Sequence, residues 1–244
     1  MIGATSFVAQ AITKKMLQRG DCVYALGRSQ RKLMQIESDF SAAGLTFADS
    51  YCYDFTDIQQ TEDAFKLAKE TLCSIDLVFI CHGFLPEQQD CEHDIGLSQQ
   101  VFDINLNSVI PFIQLAIQMF KKNGKGKLAV ITSVAGDRGR PRNFTYGAAK
   151  GGLSIYLAGL RSSLWRSGIE VYTFKLGPVD SPMTVSHAKN FSFSSAENVA
   201  DKMLADIEKR GGNYYVPGFW RAVMSIVICL PEILFQRLKF LSGR

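Results

Sequence analysis

Short apolar runs alternate along this chain with longer stretches of helical periodicity. Strand-like runs occupy residues 22–26, 77–81, 128–132 and 171–176, and the helical patterns include 8–18, 60–72, 101–122 and 146–166. Strands that alternate with helices indicate a parallel sheet with helices on both faces. The pattern therefore predicts an α/β fold with a single doubly wound parallel sheet.

Composition narrows the class of protein. The 244 residues are 47% hydrophobic and 20% charged, which is typical of a globular chain. No repeat or low-complexity linker divides it, so we expect one domain at 1–214 with a helical C-terminal appendage at 215–244. A net charge of +4 is too small to indicate nucleic-acid binding. The chain has six cysteines and three histidines, and the cysteines form no Cys-x-x-Cys pair, so the sequence shows no spacing typical of metal ligands. Reduced cysteine thiols are typical of cytoplasmic proteins.

The two ends of the sequence bear on localisation. No basic and apolar leader precedes Gly3, and no run approaches the ~20 apolar residues that span a bilayer. The expectation is a cytoplasmic protein. In the tail, an uncharged run at 222–230 is followed by apolar residues among Arg237, Lys239 and Arg244. Two interpretations remain open: a helix lying at the inner membrane interface, or a helix pair packed on the core or on another subunit.

A small-residue turn opens the first helical stretch. Backbone N–H groups at such a turn, with the positive end of the helix dipole, suit a pyrophosphate. An ordinary loop is the alternative, because Phe7 and Ala9 stand where glycines would be expected. The candidate cofactor residues here are Gly3, Thr5, Ser6, Phe7 and Val8.

Residues after the next two strands favour a phosphorylated dinucleotide. Arg28 follows the second strand, at the place where an acid would indicate NAD and an arginine NADP. We therefore predict NADP(H) in preference to NAD(H), although a solvated helix-start arginine is the alternative. Asp54, with Phe55 beside it, is placed to accept a hydrogen bond from an adenine amino group.

The strongest chemical signal is the sequence Tyr146-Gly-Ala-Ala-Lys150. Residues i and i+4 share one face of a helix, and a cation there would lower the tyrosine pKa. Such a tyrosine can exchange a proton with a carbonyl oxygen. Ser133 directly follows an apolar strand thirteen residues upstream, where its hydroxyl could bond the same oxygen. Together they predict a carbonyl-reducing or alcohol-oxidising site.

With these residues the chain, from Gly3 to about Gly218, resembles the short-chain dehydrogenase/reductase family, which has a Rossmann-type fold. The resemblance implies that Tyr146 is the general acid/base and that Ser133 polarises the carbonyl. It also implies that Lys150 binds the nicotinamide ribose and lowers the tyrosine pKa, and that Asn105 holds a water of the proton relay.

The same resemblance assigns further cofactor positions. These are the strand-end residues Cys81, His82 and Gly83, and the nicotinamide-covering loop with Gly177, Val179 and Ser181. Residues 183–195 take the place of the family's substrate lid, where Phe191 and Phe193 would cover the substrate. Family members usually form homodimers or homotetramers, here through the helical stretches 101–122 and 146–166.

Two features indicate a branch of the family. Arg138, Arg140 and Arg142 lie between Ser133 and Tyr146, and arginine forks suit phosphate oxygens. With the amphipathic tail, they resemble the branch containing the keto-reductase of the decaprenylphosphoryl-ribose 2′-epimerase system. The resemblance implies a lipid-linked keto-sugar substrate, or another small molecule, and peripheral membrane contact. Solvated loop arginines are the alternative.

The first strand is predicted to be truncated, since only Met1 and Ile2 precede Gly3. Neighbouring strands would then carry unpaired backbone groups. If the sequence is complete as it stands, the cofactor turn should be poorly ordered. Two rival functions follow: a binding module that holds NADP without turnover, and a structural membrane-associated partner. The complete set of Asn105, Ser133, Tyr146 and Lys150 favours the enzyme.

Overall fold

The computed structural model describes residues 1–184 and 192–238. Its strands are β1 Tyr24–Gly27, β2 Asp49–Cys52, β3 Leu77–Ile80, β4 Gly126–Ser133, β5 Ile169–Leu176 and β6 Asn213–Val216. They are parallel and run in the order β2–β1–(Ile2)–β3–β4–β5–β6 across one sheet. The longest pairing joins β4 and β5, from Gly126 opposite Ile169 to Ser133 opposite Leu176. The predicted α/β class and doubly wound parallel sheet are confirmed.

Ile2 occupies the centre of the sheet as a single-residue bridge. It pairs with Leu26 of β1 on one side and Ile80 of β3 on the other. Its N–H donates to Phe79 O at 2.8 Å, and Cys81 N donates to Ile2 O at 2.8 Å. On the β1 side, Leu26 N donates to Met1 O at 2.9 Å and Gly3 N donates to Leu26 O at 2.9 Å. These backbone groups of the two neighbouring strands, expected to be unpaired, are therefore bonded by residues 1–3.

Helices cover both faces of the sheet. Leu153 of α7 and Phe112 of α6 pack on one face, and Ile12 of α1 and Met203 of α8 pack on the other. This placement puts helix N-termini and strand carboxyl ends at the same edge, where ligands bind in such folds. The helices are α1 Phe7–Gln18, α2 Gln30–Ala42, α3 Ile58–Leu72, α4 Gln88–His93, α5 Ile95–Phe102, α6 Val109–Asn123, α7 Phe144–Ser163, α8 Ala196–Ile207, α9 Trp220–Cys229 and α10 Glu232–Arg237.

The sheet extends past the predicted domain boundary. That boundary, at 214, falls inside β6, because Tyr215 and Val216 pair with Lys175 and Leu176 of β5. Of the predicted appendage at 215–244, the described residues beyond β6 contain α9 and α10. Lys239 and Arg244, counted among the basic residues of the tail, lie outside the described residues, as does Phe191 of the predicted lid.

The tail presents large apolar side chains to solvent. Ile226 of α9 is 63% exposed and Ile233 of α10 is 67% exposed. Phe219, Ile228, Leu234 and Leu238 are also exposed. Among residues 1–184 and 192–238, none of the helices has the length and apolar character needed to cross a bilayer.

Candidate active site

Ser133 and Tyr146 meet at the carboxyl edge of the sheet. Ser133 is the last residue of β4, and Tyr146 lies in the first turn of α7. The Ser133 hydroxyl accepts from Ala135 N at 3.1 Å and lies 3.4 Å from Leu176 O. Its interaction with the Tyr146 side chain lowers the pKa of that tyrosine. The structure therefore brings together two hydroxyls that can bond one carbonyl oxygen.

The pKa of Tyr146 differs from the sequence-based expectation. Burial raises it to about 12, and the hydrogen bond with Ser133 opposes this rise. The Lys150 ammonium lies 6.0 Å from the centre of the tyrosine ring. Desolvation of the phenolate is the dominant cause. The net shift is upward, opposite to the lowering expected from Lys150.

Lys150 is held in a buried pocket between β3, β4 and α7. It is 2% exposed, and its Nζ donates to Ile131 O at 3.3 Å and to His82 O at 3.5 Å. Burial lowers its pKa to about 8. Gly83 lies beside both residues, and a Cβ there would lie 3.1 Å from Asn105 Oδ1 and 3.5 Å from Lys150 Nζ. The lysine remains a cation at neutral pH, one turn beyond Tyr146.

Asn105 lies beside this lysine in a single π-helical turn, Asp103–Asn107. Such turns are frequent at functional sites. Asn105 is fully buried; its Nδ2 donates to Phe84 O at 2.7 Å and to Val101 O at 2.8 Å, and its Oδ1 accepts from Phe84 N at 3.0 Å. Its side chain therefore fixes the chain that leaves β3. The four residues predicted to be catalytic lie at one edge of the sheet.

The turn at Gly3 fits a closely approaching ligand. Gly3 has φ +78°, and a Cβ there would lie 2.6 Å from His82 N. Ala4 N donates to Leu26 O at 2.9 Å, and Ser6 caps α1 by accepting from Ala9 N at 3.2 Å. Thr5 accepts through its carbonyl from Gln10, Phe7 is exposed, and Val8 is buried. The amino end of α1 thus opens at the active edge, as pyrophosphate binding requires.

The next predicted cofactor residues lie around the Phe55 ring. The Arg28 guanidinium lies 5.9 Å above the Phe55 ring, and the Phe55 and His82 rings are 4.6 Å apart. Asp54 accepts from Thr56 N at 2.9 Å and from Thr56 Oγ1 at 2.8 Å, which lowers the pKa of its carboxyl. One Asp54 oxygen therefore shapes the turn before α3. Arg28 is exposed at the strand end, where a 2′-phosphate would meet it.

His82 is a packed residue rather than a base. Its Nε2 lies 2.9 Å from Ser108 Oγ, which donates to Ile104 O at 3.0 Å. Burial lowers the pKa of His82 to about 3, with Lys150 and Arg28 contributing, so the ring is neutral. Cys81 beside it is buried and donates its N–H to Ile2 O.

The loop after β5 has an unexpected neighbour in the tail. The Trp220 indole lies against Gly177, and a Cβ on Gly177 would lie 1.9 Å from Trp220 Nε1. Val179 is buried and bridges to Ser194, while Ser181 N lies 3.3 Å from Thr184 Oγ1. Nothing in the sequence pattern indicated that Trp220 reaches this loop.

The arginines between Ser133 and Tyr146 do not form one anion site. Arg138 Nη1 donates to Val227 O and Leu230 O, each at 2.5 Å, at the end of α9. Arg140 Nη2 lies 3.3 Å from Met224 Sδ, and its guanidinium is largely buried, which lowers its pKa. Arg138 and Arg140 therefore hold the tail, and Arg142 is the exposed member of the three. Loop arginines can equally serve helix carbonyls, which the sequence does not distinguish.

A buried ion pair near Ser133 also escaped the sequence analysis. Lys175 of β5 pairs with Asp137, and Tyr215 of β6 donates to the second Asp137 oxygen at 2.8 Å. The Asp137 side chain is 4% exposed and that of Lys175 13%. This network joins the segment after Ser133 to β5 and β6. Within residues 1–184 and 192–238, His, Cys, Asp and Glu do not gather in threes as a metal site would need.

Two proteins of similar sequence are named as oxidoreductases. The chain is 26% identical over 240 residues to an uncharacterized oxidoreductase in the mprA 5′ region of Streptomyces coelicolor, covering 98% of this chain and 94% of that one. It is 25% identical over 205 residues to an uncharacterized oxidoreductase of Staphylococcus epidermidis, covering 83% and 86%.

Solved structures share the fold. A short chain dehydrogenase from Burkholderia cenocepacia, in complex with NADP, superposes with a TM-score of 0.82 at 20% identity over 97% of this chain and 94% of that chain. An actinorhodin polyketide ketoreductase variant with NADPH gives 0.79 at 19% identity over 89% and 94%. The short chain dehydrogenase family profile matches residues 1–191. The chain therefore belongs to the short-chain dehydrogenase family and is an NAD(P)-dependent oxidoreductase.

Proposed function

We propose that this protein reduces a ketone to a secondary alcohol with NADPH. The observation that supports this best is the interaction of the Ser133 and Tyr146 side chains at the sheet edge, with the Lys150 cation one helical turn further. Both hydroxyls can bond the same carbonyl oxygen, and developing negative charge on that oxygen is what such donors stabilise.

The residues divide the chemistry between them. Gly3, the start of α1 and Arg28 would hold the dinucleotide, whose reduced nicotinamide supplies a hydride to the carbonyl carbon when bound. Tyr146 donates its phenolic proton to the carbonyl oxygen, and Ser133 donates a hydrogen bond to that oxygen. Lys150, charged at neutral pH, would bond the nicotinamide ribose and favour the phenolate that remains. Asn105 would hold the water through which the phenolate recovers a proton.

The preference for NADPH rests on Arg28. The residue is exposed beside Asp54 and Phe55, and a guanidinium can form paired hydrogen bonds with a 2′-phosphate. Titration with NADPH and NADH, followed by dihydronicotinamide fluorescence, tests this. Arg28→Ala should weaken NADPH binding and leave NADH binding unchanged. Equal losses for both nucleotides would contradict the assignment.

We also propose that the substrate is a keto-sugar carried on a polyprenyl phosphate. The exposed apolar side chains of α9 and α10, with Arg221 and Arg237 beside them, support contact with the cytoplasmic membrane face. Exposed Arg142 would meet the phosphate. Flotation with anionic vesicles should recover the wild-type protein, whereas Ile226→Ser/Ile233→Ser should stay in solution. Equal flotation of both would contradict membrane contact.

We further propose that the protein forms a homodimer or homotetramer through α6 and α7. Ile155 of α7 is 76% exposed, and a Cβ on Gly159 would meet open space, so this helix face is available. Gly151 has an internal role, because a Cβ there would lie 2.7 Å from Gly136 O. Light scattering after gel filtration should give a multiple of 27.1 kDa, and Ile155→Arg should reduce it.

The decisive experiment is turnover. Purified protein with NADPH is given a panel of ketones, including small cyclic ketones and keto-sugar phosphates, and 340 nm absorbance is followed. Tyr146→Phe should bind NADPH normally and reduce none of them. NADPH binding without turnover of any ketone by the wild type would favour the rival function of a binding module.

A further inference from the structure

The first helix of the tail contacts both chain segments that surround Ser133. Trp220 and Met224 of α9 share an apolar cluster with Val134, the residue after Ser133. Trp220 also fills the space beside Gly177, the residue after Leu176. One helix outside the sheet thus packs against the ends of both β4 and β5.

These two segments are the ones that orient the serine hydroxyl. Ser133 Oγ accepts from Ala135 N, which is adjacent to Val134. The same oxygen lies 3.4 Å from Leu176 O, which is adjacent to Gly177. A displacement of α9 would therefore move both backbone partners of the hydroxyl.

Arg138 fixes α9 in this position. Its Nη1 donates to Val227 O and Leu230 O, and its guanidinium lies 4.1 Å from the centre of the Phe235 ring. Carbonyls at a helix C-terminus lack partners within the helix and carry partial negative charge, so a cation is stabilising there. Because Arg138 lies on the loop between Ser133 and Tyr146, its bonds connect that loop directly to the tail.

We propose that Arg138 is a positioning residue for the reaction: by holding α9 against Val134 and Gly177, it sets the orientation of the Ser133 hydroxyl. The tail is then part of the catalytic apparatus as well as an exposed surface. This inference rests on the proposed ketone reduction, because it assigns Ser133 its role there.

Kinetics with the best ketone of the panel provide the first test. Arg138→Ala should lower kcat about tenfold or more, since small misplacements of reacting groups are costly. NADPH affinity should be unchanged, and Arg138→Lys should recover part of kcat by restoring a cation. Arg19→Ala, which removes an exposed arginine paired with Asp21, is the matched control and should behave as wild type.

A double-mutant cycle shows whether the effect passes through Ser133. In a Ser133→Ala background, Arg138→Ala should produce little further loss of kcat, because the group being positioned is gone. Full additivity of the two losses would overturn the proposal. So would an Arg138→Ala variant whose kcat equals that of the wild type, or whose NADPH affinity falls in parallel with kcat.

A spectroscopic arm does not depend on turnover. In a Trp165→Phe background, Trp220 is the remaining tryptophan. Arg138→Ala should shift its emission to longer wavelength and reduce energy transfer to bound NADPH. Unchanged emission and transfer would overturn the role of Arg138 in holding α9. If the wild type binds NADPH but reduces no ketone, the proposed function fails, and this arm still decides whether Arg138 holds the helix.

Discussion

The indole of Trp220 occupies the space that any side chain at residue 177 would need. The contact joins the C-terminal tail to the loop that leaves β5, and it puts a residue from beyond the sheet beside the candidate active site. Trp220 is 9% exposed, and its neighbours Met224 and Val227 are buried on the same face of α9. The tail is therefore anchored along one face, while its other face remains exposed.

This contact predicts the effect of Gly177→Ala. The added methyl would lie 1.9 Å from Trp220 Nε1, so either the loop or α9 must shift. We expect a loss of about 1–3 kcal/mol in the free energy of unfolding, as for overpacked cores, and a lower kcat. Urea denaturation and steady-state kinetics measure both. Gly139→Ala, where a Cβ meets open space, is the control and should leave stability nearly unchanged.

Lys150 predicts a specific dependence of stability on pH. Burial lowers its pKa to about 8 in the folded protein, from its ordinary value of 10.5. Between these two values the unfolded chain binds more protons than the folded chain, so this residue's contribution to stability rises with pH. Below pH 8 Lys150 is charged in the folded protein, so the whole cost of removing its ammonium from water reduces the free energy of unfolding.

The comparison that isolates this effect is Lys150→Met. The thermal midpoint of the wild type should rise relative to that of the variant as the pH increases from 8 to 10.5. Calorimetry of both proteins at several pH values measures the difference. A constant difference between the midpoints would show that the Lys150 pKa is not lowered.

Gly3→Ala should damage both stability and cofactor binding. The residue has φ +78°, and a Cβ would lie 2.6 Å from His82 N. A non-glycine residue in this backbone region costs about 1–3 kcal/mol, and the collision adds to it. Chemical denaturation and NADPH titration should show parallel losses. Gly20→Ala, also at positive φ but with open space around the Cβ, should lose stability alone.

Removing one partner of the Asp137–Lys175 pair should lower the free energy of unfolding more than replacing both partners with apolar residues. Both side chains are buried, so Asp137→Ala leaves an unpaired ammonium and should destabilise the protein by about 3–5 kcal/mol. The double variant Asp137→Leu/Lys175→Met should recover part of that loss, because no buried charge remains. Urea denaturation of the three proteins tests this order, and a double variant less stable than Asp137→Ala would refute it.

The sequence alone indicated the parallel sheet and the runs that form β1, β3, β4 and β5. It also singled out Ser133, Tyr146 and Lys150 from local pattern, whereas Asn105 was implied by the family resemblance. Apolar runs become buried strands for reasons local to each run, and Tyr146 and Lys150 are brought together by helix geometry itself. The glycine turn could not be distinguished from an ordinary loop by its sequence; its positive φ and close approach to His82 came from the structure.

The burial, the pKa values and the distant contacts of these residues depend on the tertiary structure. Burial, which depends on the whole fold, raises the Tyr146 pKa where local spacing with Lys150 predicted a lowering. Arg138 and Arg140 were interpreted as ligands for an anion, yet the fold supplies carbonyls and a sulfur atom from a helix about ninety residues away. Trp220 reaches Gly177, and Lys175 reaches Asp137, through contacts that no periodicity encodes. Spacing along the chain determines which groups share an element, whereas desolvation and long-range partners exist only once the elements have packed.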